Sequence, residues 1–492
     1  MSILLICVLA YLLISVGIGV YASMKVKNST DFLLAGRGLP MYMTIATVFA
    51  TWFGAEAIQG VPGTFAAEGG NLREIVADPF GAGLCLVFVG LFFALPLYRM
   101  KIDTIADFYR RKYNRKIEVL MSIFISISYL GWVSAQVFAL GTAINVVSDG
   151  NISVLVGMII GLATVMAYTM TGGMIAVAVT DFVQMAVIIV GVIIGAFIIT
   201  GMVDGGASAV INHASELEKF TFLPEATFAA WLAFFGSFIT LAFGSIPQQD
   251  VFQRVMSSKD EKTAVWGTVI GGSFYILFCF IPMFIAVAAT MIDPSLMSTE
   301  ATDAILPRVF KEQMPIWVQI IFFGALLSAI MSTASGTLLA PSAVIADNIL
   351  KDFLKLNDRQ LLLALRITVM VFGIIVFFYA YYNKARGLTV FNMVENAYLI
   401  TLTGAFIPLA FGVYWKKANT WGAYTSIVMG VGSWATMEGL SLSGFFGEEG
   451  PLFPPQVVGL LLAIVGMVVG SLVFGKTDEE LRREAEPATA TA

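Results

Sequence analysis

Charged residues are scarce in this chain of 492 amino acids, where 28 Lys and Arg and 33 Asp and Glu together make up 12% of the sequence. Soluble domains carry roughly 25% charged residues. The chain therefore has too little charge to cover a soluble surface of its size, which excludes a soluble enzyme and a disordered scaffold. Its net charge of -5 also excludes a nucleic-acid binder, because such proteins need a basic surface to neutralise phosphates.

Histidine and cysteine are almost absent as well. His213 is the single histidine, so a histidine-based metal site is excluded. Cys7, Cys85 and Cys279 lie in apolar surroundings and cannot form the disulfide framework of a secreted protein. No nucleophile or metal cluster is visible, and we expect that the protein is not an enzyme.

Long apolar runs dominate instead, with 58% hydrophobic residues and a mean hydropathy of +0.86. A helix that crosses a bilayer needs about 20 mainly apolar residues, and about 13 such runs are present. They are too long and continuous for the alternating strands of a β-barrel. The sequence predicts an all-α polytopic membrane protein. Numbered spans 1 to 13, the runs lie at 3–22, 41–64, 79–98, 119–147, 153–170, 175–202, 228–250, 263–291, 316–345, 361–383, 391–414, 420–439 and 455–475.

Basic residues predict the orientation, since Lys and Arg concentrate in cytoplasmic loops. The basic loops are 23–40, 99–118, 251–262, 346–360 and 415–419, joined by the C-terminal tail. We therefore expect the N-terminus outside the cell membrane and the C-terminus in the cytoplasm. Residues 1–475 are predicted to form one transmembrane domain in the lipid bilayer, followed by a cytoplasmic tail at 476–492. Span 1 lacks the features of a cleaved signal peptide, and no obligate protein partner is evident.

Two spans carry interruptions at corresponding places. The interrupting residues are Gly54, Gly60, Pro62 and Gly63 in span 2, and Gly236, Gly244 and Pro247 in span 7. Each of these spans begins a run of five helices, and an odd repeat length inverts the second copy, which predicts inverted repeats at about 41–202 and 228–414. Paired interruptions indicate a central binding site in transporters. The alternative is that the glycines only allow helices to pack closely.

A few ionisable residues fall inside the spans. Burying a charge in a membrane costs free energy, so each of these residues is a candidate for function. They are Glu56, Asp181, Arg366, Glu395 and Glu438, whereas Asp78 and Asp250 fall at span ends, where we expect contact with water. Glu56 follows Gly54 by two residues, and a buried carboxylate needs a cation or a proton. A substrate ammonium, a proton and pairing with Arg366 all remain open for it.

Span 9 carries a set of oxygen groups on one face. Ala329 precedes Ser332 and Thr333 by three and four residues, so the three share one side of a helix. Hydroxyl and carbonyl oxygens are the ligands of hard cations. Unwinding of span 2 would free the carbonyls of Ala50 and Phe53 to complete such a shell. The alternative is that the hydroxyls bond to carbonyls of their own helix.

The STASGTLL run of span 9, the GGMIAVAVTDFVQ segment at 172–184 and the span count resemble the sodium/solute symporter family. The resemblance implies a LeuT-like core of five plus five helices and sodium-coupled symport of a small organic solute into the cell. The solute is expected to be a quaternary ammonium such as choline, or an amino acid such as proline. The alternatives are a sugar, a carboxylate or a vitamin, or a transporter-like substrate sensor.

The resemblance also implies the ion site, with the sodium ion as cofactor. The main sodium ligands map onto Ala50, Phe53, Ala329, Ser332 and Thr333. Some family members bind a second sodium, and Asp181, Ser332 and Ser335 match its ligands, but the next position is Gly336, which has no hydroxyl. The alternative role of Asp181 is an interhelical hydrogen bond.

Within the family, the segments at 50–52, 131–141 and 244–258 are similar to the choline transporters. That likeness implies a tryptophan cage, since an aromatic face attracts a cation that cannot donate hydrogen bonds. Trp52 and Trp132 occupy two of its positions, and Gln248 occupies the third. The predicted substrate residues are Trp52, Gly54, Glu56, Trp132, Gln136 and Gln248. The alternative role of the tryptophans is core packing or anchoring at the membrane interface.

Overall fold

A computed structural model describes residues 2–298, 302–443, 445–446, 451–477 and 480. All regular elements within these ranges are helical, apart from one isolated bridge between Leu39 and Ser258. The all-α prediction is confirmed. Most of the predicted tail at 476–492 lies outside the described residues.

The first half of the chain forms eleven α-helices. They are α1 (Ile3–Ser23), α2 (Ser29–Leu34), α3 (Met41–Trp52), α4 (Val61–Ala66), α5 (Ala82–Phe88), α6 (Ala94–Arg99), α7 (Ile105–Lys112), α8 (Arg115–Val147), α9 (Val154–Met202), α10 (Gly206–Glu216) and α11 (Phe228–Gly244). Short π-helical segments lie between them at Glu56–Gly60, Val76–Gly81 and Val89–Phe93, with a 3-10 turn at Ala35–Arg37.

The described part of the second half contains eleven more. They are α12 (Gln249–Ser257), α13 (Glu261–Ile292), α14 (Ile305–Gln313), α15 (Ile316–Val344), α16 (Lys351–Leu354), α17 (Asp358–Ala385), α18 (Val390–Ala397), α19 (Leu399–Thr401), α20 (Ile407–Tyr414), α21 (Thr420–Leu442) and α22 (Pro455–Val473). π-Helical segments occur at Ile345–Leu350 and Leu402–Phe406, and 3-10 turns at Pro294–Ser298 and Thr302–Ala304.

Over the described residues, 9 helical stretches are long and apolar enough to cross a membrane, and two bent pairs raise the number to 11. One stretch, α9, has 49 residues and is about 74 Å long, more than twice the ~30 Å thickness of the hydrocarbon core. Its backbone breaks at Gly173, which has φ 50° and ψ -141°. α9 therefore contains the predicted spans 5 and 6. The total of about 13 spans stays a prediction.

Both predicted helix interruptions are confirmed. α3 and the segment Glu56–Ala66 are bent by 60° relative to each other, and α11 and α12 are bent by 44°. The breaks fall at residues 53–55 and 245–248. Pro62 does not cause the first break, because it lies in the first turn of α4, where a helix tolerates proline.

Span 9 runs through the centre of the bundle. Every residue of α15 from 325 to 344 is buried, and the helix packs against α9, α8 and α3. A helix that is covered on all sides faces protein rather than lipid. Polar side chains on it therefore meet other helices or an internal site.

The expectation that Asp78 and Asp250 contact water is wrong. Their exposed fractions are 2% and 0%. Asp78 is a non-helical residue in the segment Val76–Gly81 at the start of span 3, where it accepts a hydrogen bond from the Tyr275 hydroxyl. Asp250 begins the second half of the broken span 7, and the bend carries it into the bundle.

Candidate functional site

The break in span 2 is the point where three helices meet. A Cβ on Gly54 would lie 2.4 Å from Thr333 Oγ1 and 2.8 Å from Gln136 Oε1. Glycine is therefore the residue that lets α15 and α8 approach the backbone this closely. The freed amide of Ala55 donates to Gln136 Oε1 at 2.8 Å. Gly54 thus allows the close approach of the helices, and it has no side chain that could contact a solute.

Two of the predicted sodium ligands meet at this junction. The Thr333 hydroxyl lies 3.4 Å from the carbonyl oxygen of Ala50. Two oxygens that bind one hard cation at about 2.4 Å and at right angles lie about 3.4 Å apart, so this pair fits a sodium ion. Phe53 ends α3 with a non-helical backbone, while Ala329 lies one turn before Thr333 on the buried helix. The donor set has the chemistry that sodium needs, and the pair of Thr333 and Ala50 has a suitable spacing; the assignment of the five ligands stays a prediction.

Asp181 joins three helices beside that junction. Ser332 Oγ donates to Asp181 Oδ1 at 2.6 Å, and the Thr47 hydroxyl donates to Oδ2. Ser335 donates instead to the Ser332 carbonyl at 2.9 Å, within its own helix. The structure therefore brings together two of the residues predicted for a second sodium. It also contains the interhelical hydrogen bonds that were the alternative for Asp181.

Glu56 is buried, with an exposed fraction of 2%. Trp132 Nε1 donates to one of its oxygens at 2.9 Å, and Gln136 Nε2 donates to the other at 2.7 Å. Arg366 instead lies 3.5 Å from the carbonyl oxygen of Thr171. Pairing of Glu56 with Arg366 is thus not observed. Among the described residues, no basic side chain forms an ion pair with Glu56.

Three aromatic rings form a cluster, the aromatic trio, consisting of Trp52, Trp132 and Tyr398. The ring centroids of Trp52 and Trp132 are 5.3 Å apart, and Tyr398 lies 6.4 Å and 5.7 Å from them. Trp52 Nε1 donates to Asp250 Oδ2 at 3.1 Å. The buried Tyr398 hydroxyl has no hydrogen-bond partner among the described residues. Tyr398 is not among the predicted site residues, because nothing in its local sequence marks it.

Gln248 lies beside the trio, but it is not aromatic and adds no ring to it. Its amide donates to Ser128 Oγ at 2.9 Å and to Thr401 Oγ1 at 3.4 Å. These partners lie close in sequence to Trp132 and Tyr398, respectively. The aromatic residue that accompanies the two tryptophans comes from α18–α19 instead, and a role for Gln248 in solute binding stays a prediction.

Arg254 is a second residue that the sequence analysis missed. It was counted with the basic loop at 251–262, but α12 extends to Ser257 and Arg254 has an exposed fraction of 1%. Its Nη1 donates to the Asp250 carbonyl at 2.9 Å, and its Nη2 donates to Thr51 Oγ1 at 2.7 Å. The amphipathic pattern of the segment QDVFQRV predicts a helix with its polar face towards solvent, so it gave no signal that Arg254 is buried.

A helical membrane bundle with two bent spans around buried oxygens, carboxylates and aromatic rings defines a secondary transporter with a LeuT-like core. The comparison with known proteins gives the family. The profile of the Sodium:solute symporter family matches residues 32–430, and the chain belongs to that family. It is therefore a multi-pass membrane transporter and not an enzyme, and its family implies the use of sodium and of a small-molecule solute.

Several characterised relatives are similar over most of the chain. The human High affinity choline transporter 1 is 29% identical over 453 residues, which cover 87% of this chain and 75% of the relative. The Sodium/pantothenate symporter of Haemophilus influenzae is 26% identical, with coverage of 95% and 96%. The Osmoregulated proline transporter OpuE of Bacillus subtilis is 25% identical, also with coverage of 95% and 96%.

Solved structures confirm the fold. A Na+-coupled sialic acid symporter in a substrate-bound outward-open state matches with a TM-score of 0.82 and 19% identity, over 96% of this chain and 98% of that one. MhsT in complex with L-phenylalanine matches with a TM-score of 0.56 and 14% identity, over 87% and 97%. At these identities the likeness shows the fold alone.

Proposed function

We propose that the protein couples sodium entry to the uptake of a small quaternary ammonium solute, choline or a close analogue. The aromatic trio carries this proposal. The indole N–H groups of Trp52 and Trp132 are held by the carboxylates of Asp250 and Glu56, so the rings are oriented beside negative charge. Aromatic faces and carboxylates both attract a cation that cannot donate hydrogen bonds. The rings contact one another here, and a bound ammonium would part them.

The charge balance of the site supports a cationic solute. Four carboxylates are buried in or next to it, those of Glu56, Asp78, Asp181 and Asp250. Within the part of the chain that the structure describes, Arg254 is the one buried guanidinium among them. Buried negative charge is costly, so each of these carboxyl groups is stabilised by a proton, by Arg254 or by a bound cation. A sodium ion and a cationic solute therefore stabilise this site, whereas a solute carboxylate adds to the repulsion.

A zwitterionic amino acid is the second candidate, favoured by the similarity to OpuE, a proline transporter. Its ammonium group would occupy the place of the quaternary nitrogen near Glu56. Its carboxylate would require several donors, but Gln136 and Gln248 already bond to Glu56 and Ser128, which leaves the Tyr398 hydroxyl, unpartnered among the described residues. Choline needs no such donor, so we favour it.

We place one sodium ion between span 2 and span 9, held by the carbonyl oxygens of Ala50, Phe53 and Ala329 and by the hydroxyls of Ser332 and Thr333. The ion supplies positive charge that holds α15 against the broken helix. Gln136 links α8 to the same broken helix, because it contacts both Ala55 and Glu56. Sodium and solute stabilise the same arrangement and therefore bind cooperatively. Rocking of the bundle around the site opens it to the other side.

We further propose the organisation inferred from the loops. Residues 1–475 form a single transmembrane domain with inverted repeats at about 41–202 and 228–414. The N-terminus lies outside the cell membrane and the C-terminus in the cytoplasm. An inward-negative potential contributes about 2.3 kcal/mol per charge per 100 mV to the uptake of a cationic solute with sodium.

The full chain in proteoliposomes tests the function. We expect saturable uptake of labelled choline that requires a sodium gradient and is inhibited by tetramethylammonium but not by proline or glucose. Sodium-stimulated uptake of proline without choline would favour the second candidate. Specific choline binding without uptake would identify a sensor. Absence of any sodium stimulation for choline, betaine, proline and glucose would contradict the symporter assignment.

A further inference from the structure

The space beside Gly336 is occupied by an arginine side chain. A Cβ at this position would lie 2.3 Å from Arg254 Nη2 and 3.0 Å from Thr51 Cγ2. Gly336 follows Ser335 on α15, and both residues are buried. The missing hydroxyl at position 336 thus coincides with a guanidinium group that a serine at that position would displace.

The guanidinium is held close to Asp181. Arg254 Nη2 donates to Thr51 Oγ1 at 2.7 Å, and that hydroxyl lies 3.5 Å from Asp181 Oδ2. The other end of the group is fixed by the Asp250 carbonyl at 2.9 Å. One hydroxyl therefore separates the positive charge of Arg254 from the carboxylate that a second sodium would use.

Both serine hydroxyls near Asp181 already donate a hydrogen bond. Ser332 donates to Asp181 at 2.6 Å, and Ser335 donates to a carbonyl of its own helix at 2.9 Å. A sodium ion next to Asp181 would face a fixed like charge in a region of low dielectric. These residues do not fit a second sodium ion.

We propose that Arg254 is a built-in cation that replaces the second sodium beside Asp181, so that one sodium ion crosses with each solute molecule. The inference rests on the proposed sodium coupling and specifies its stoichiometry. It also gives Gly336 a function, because the absence of a side chain there admits the guanidinium.

Counting ions in the wild-type protein is the first test. In proteoliposomes that contain the full chain, the ratio of ²²Na+ to labelled choline taken up is expected to be about one, with a Hill coefficient for sodium of about one. Thermal stabilisation of the purified protein by sodium, in the absence of solute, is expected to follow a single-site curve. Two sodium ions per choline, or a two-site stabilisation curve, would overturn the proposal.

A double variant tests whether Arg254 is the reason for the single sodium ion. Arg254→Gln with Gly336→Ser removes the guanidinium and adds a hydroxyl, and we expect the Hill coefficient, the ²²Na+ ratio and the stabilisation curve to shift towards two sodium ions. Arg366→Gln is the matched control, since this arginine of α17 contacts only the Thr171 carbonyl in the described hydrogen-bond network. It should leave the count at one.

The outcomes are separable. A double variant that folds, transports and still uses one sodium ion would overturn the role of Arg254. If the double variant does not fold, the ion count of the wild-type protein still decides the stoichiometry. A wild-type protein with no sodium stimulation would contradict the proposed function itself.

Discussion

Several buried polar residues of the site have their hydrogen-bond partner on another helix. Gln136 of α8 accepts a hydrogen bond from the Ala55 amide and donates to Glu56. Asp250 of α12 accepts hydrogen bonds from Trp52 and from Tyr129. Removing one partner of such a pair leaves the other unsatisfied, which costs about 1–3 kcal/mol and more for a charged group. Substitutions at these positions therefore affect the junction as well as the ligand.

The hydroxyls of span 9 give the first prediction. Ser332→Ala with Thr333→Ala removes two of the five proposed sodium ligands, and we expect the sodium concentration for half-maximal uptake to rise at least about tenfold. Expression should persist, because the substitutions are small. The matched control is Ser433→Ala with Thr436→Ala on α21, whose hydroxyls bond to their own helix. An unchanged sodium requirement would contradict the site.

The aromatic trio gives the second prediction. Trp52→Ala removes a ring that lies 5.3 Å from Trp132. Because a buried cation–π contact contributes about 2 kcal/mol, the choline concentration for half-maximal uptake should rise about 30-fold. Trp231→Ala is the control, since this ring is 46% exposed on the outside of α11. Equal effects of the two substitutions on choline uptake would argue against the trio as the binding site.

At the scale of elements, the bent spans work because other helices contact their breaks. α15 meets α3 where Thr333 lies 3.4 Å from the Ala50 carbonyl. The second break lies against the end of α18, where a Cβ on Gly244 would lie 2.7 Å from the Tyr398 carbonyl. Each break thus exposes backbone groups to a neighbouring element inside the protein, which is where non-helical backbone is tolerated in a membrane.

The first break gives the third prediction. Gly54→Ala places a methyl group 2.4 Å from Thr333 Oγ1 and 2.8 Å from Gln136 Oε1, so the Thr333 and Gln136 side chains or their helices must shift. We expect sodium-driven uptake to fall at least about tenfold, since a displacement of about 1 Å can cost that much or more, and sodium-dependent thermal stabilisation to be lost. Gly432→Ala on α21 meets nothing within 4 Å and should retain both properties. Retention of both by Gly54→Ala would contradict the packing argument.

The start of α18 is held by a carboxylate from a loop. The Val390 amide donates to Asp303 Oδ2 at 3.0 Å, and Asp303 lies in a 3-10 turn between α13 and α14, outside the membrane-spanning helices. Burial raises the pKa of the Asp303 carboxyl from 3.8 to about 6. A carboxyl whose pKa is raised on folding holds its proton more tightly in the folded state. Its ionisation therefore destabilises the folded protein as the pH rises through about 6.

This gives the fourth prediction. Between pH 4 and pH 7, ionisation of Asp303 should lower the free energy of unfolding by up to about 3 kcal/mol. Asp303→Asn removes that contribution, so its melting temperature should fall less over this range than that of the wild-type protein. Asp204→Asn at an exposed loop position is the control. Identical pH profiles for wild type and Asp303→Asn would contradict the prediction.

At the scale of the whole molecule, charge and apolar surface are separated. Large apolar side chains are exposed along the outer helices, for example Leu13, Phe197, Phe378 and Val469. Exposed hydrophobic side chains in such number are what a lipid-facing surface requires. Ion pairs concentrate in the basic loops, as between Arg110 and Asp352. This separation underlies the proposed orientation.

The orientation gives the fifth prediction. Lys384 and Lys416 are both exposed and are separated by one predicted span, 391–414. In a chain whose three native cysteines are replaced by serine or alanine, a cysteine at position 384 should react with an impermeant maleimide in intact cells. A cysteine at position 416 should react only after permeabilisation. Labelling of both in intact cells, or of 416 alone, would contradict the topology.

The predictable part of the protein depends on local sequence. Long apolar runs predict membrane helices, because burial in lipid is decided by some 20 consecutive residues. Glycine and proline predicted that spans 2 and 7 break, and both bends are present. Thr333 and Ala50 could be paired in advance through the family resemblance, and they lie 3.4 Å apart. The contact between Glu56 and Gln136 could not be predicted, because each residue taken alone fits several roles.

The sequence by itself determined the membrane-spanning all-α architecture, the two broken spans and the residues proposed for sodium, since these follow from composition, interruption and motif along the chain. The tertiary structure alone decided that Tyr398 completes the aromatic trio, that Asp250 is buried and that Arg254 fills the space beside Gly336. Each of these contacts joins segments far apart in the chain. Their side chains meet only because the bends in spans 2 and 7 turn both breaks into the same buried centre. No local sequence pattern predicts these contacts.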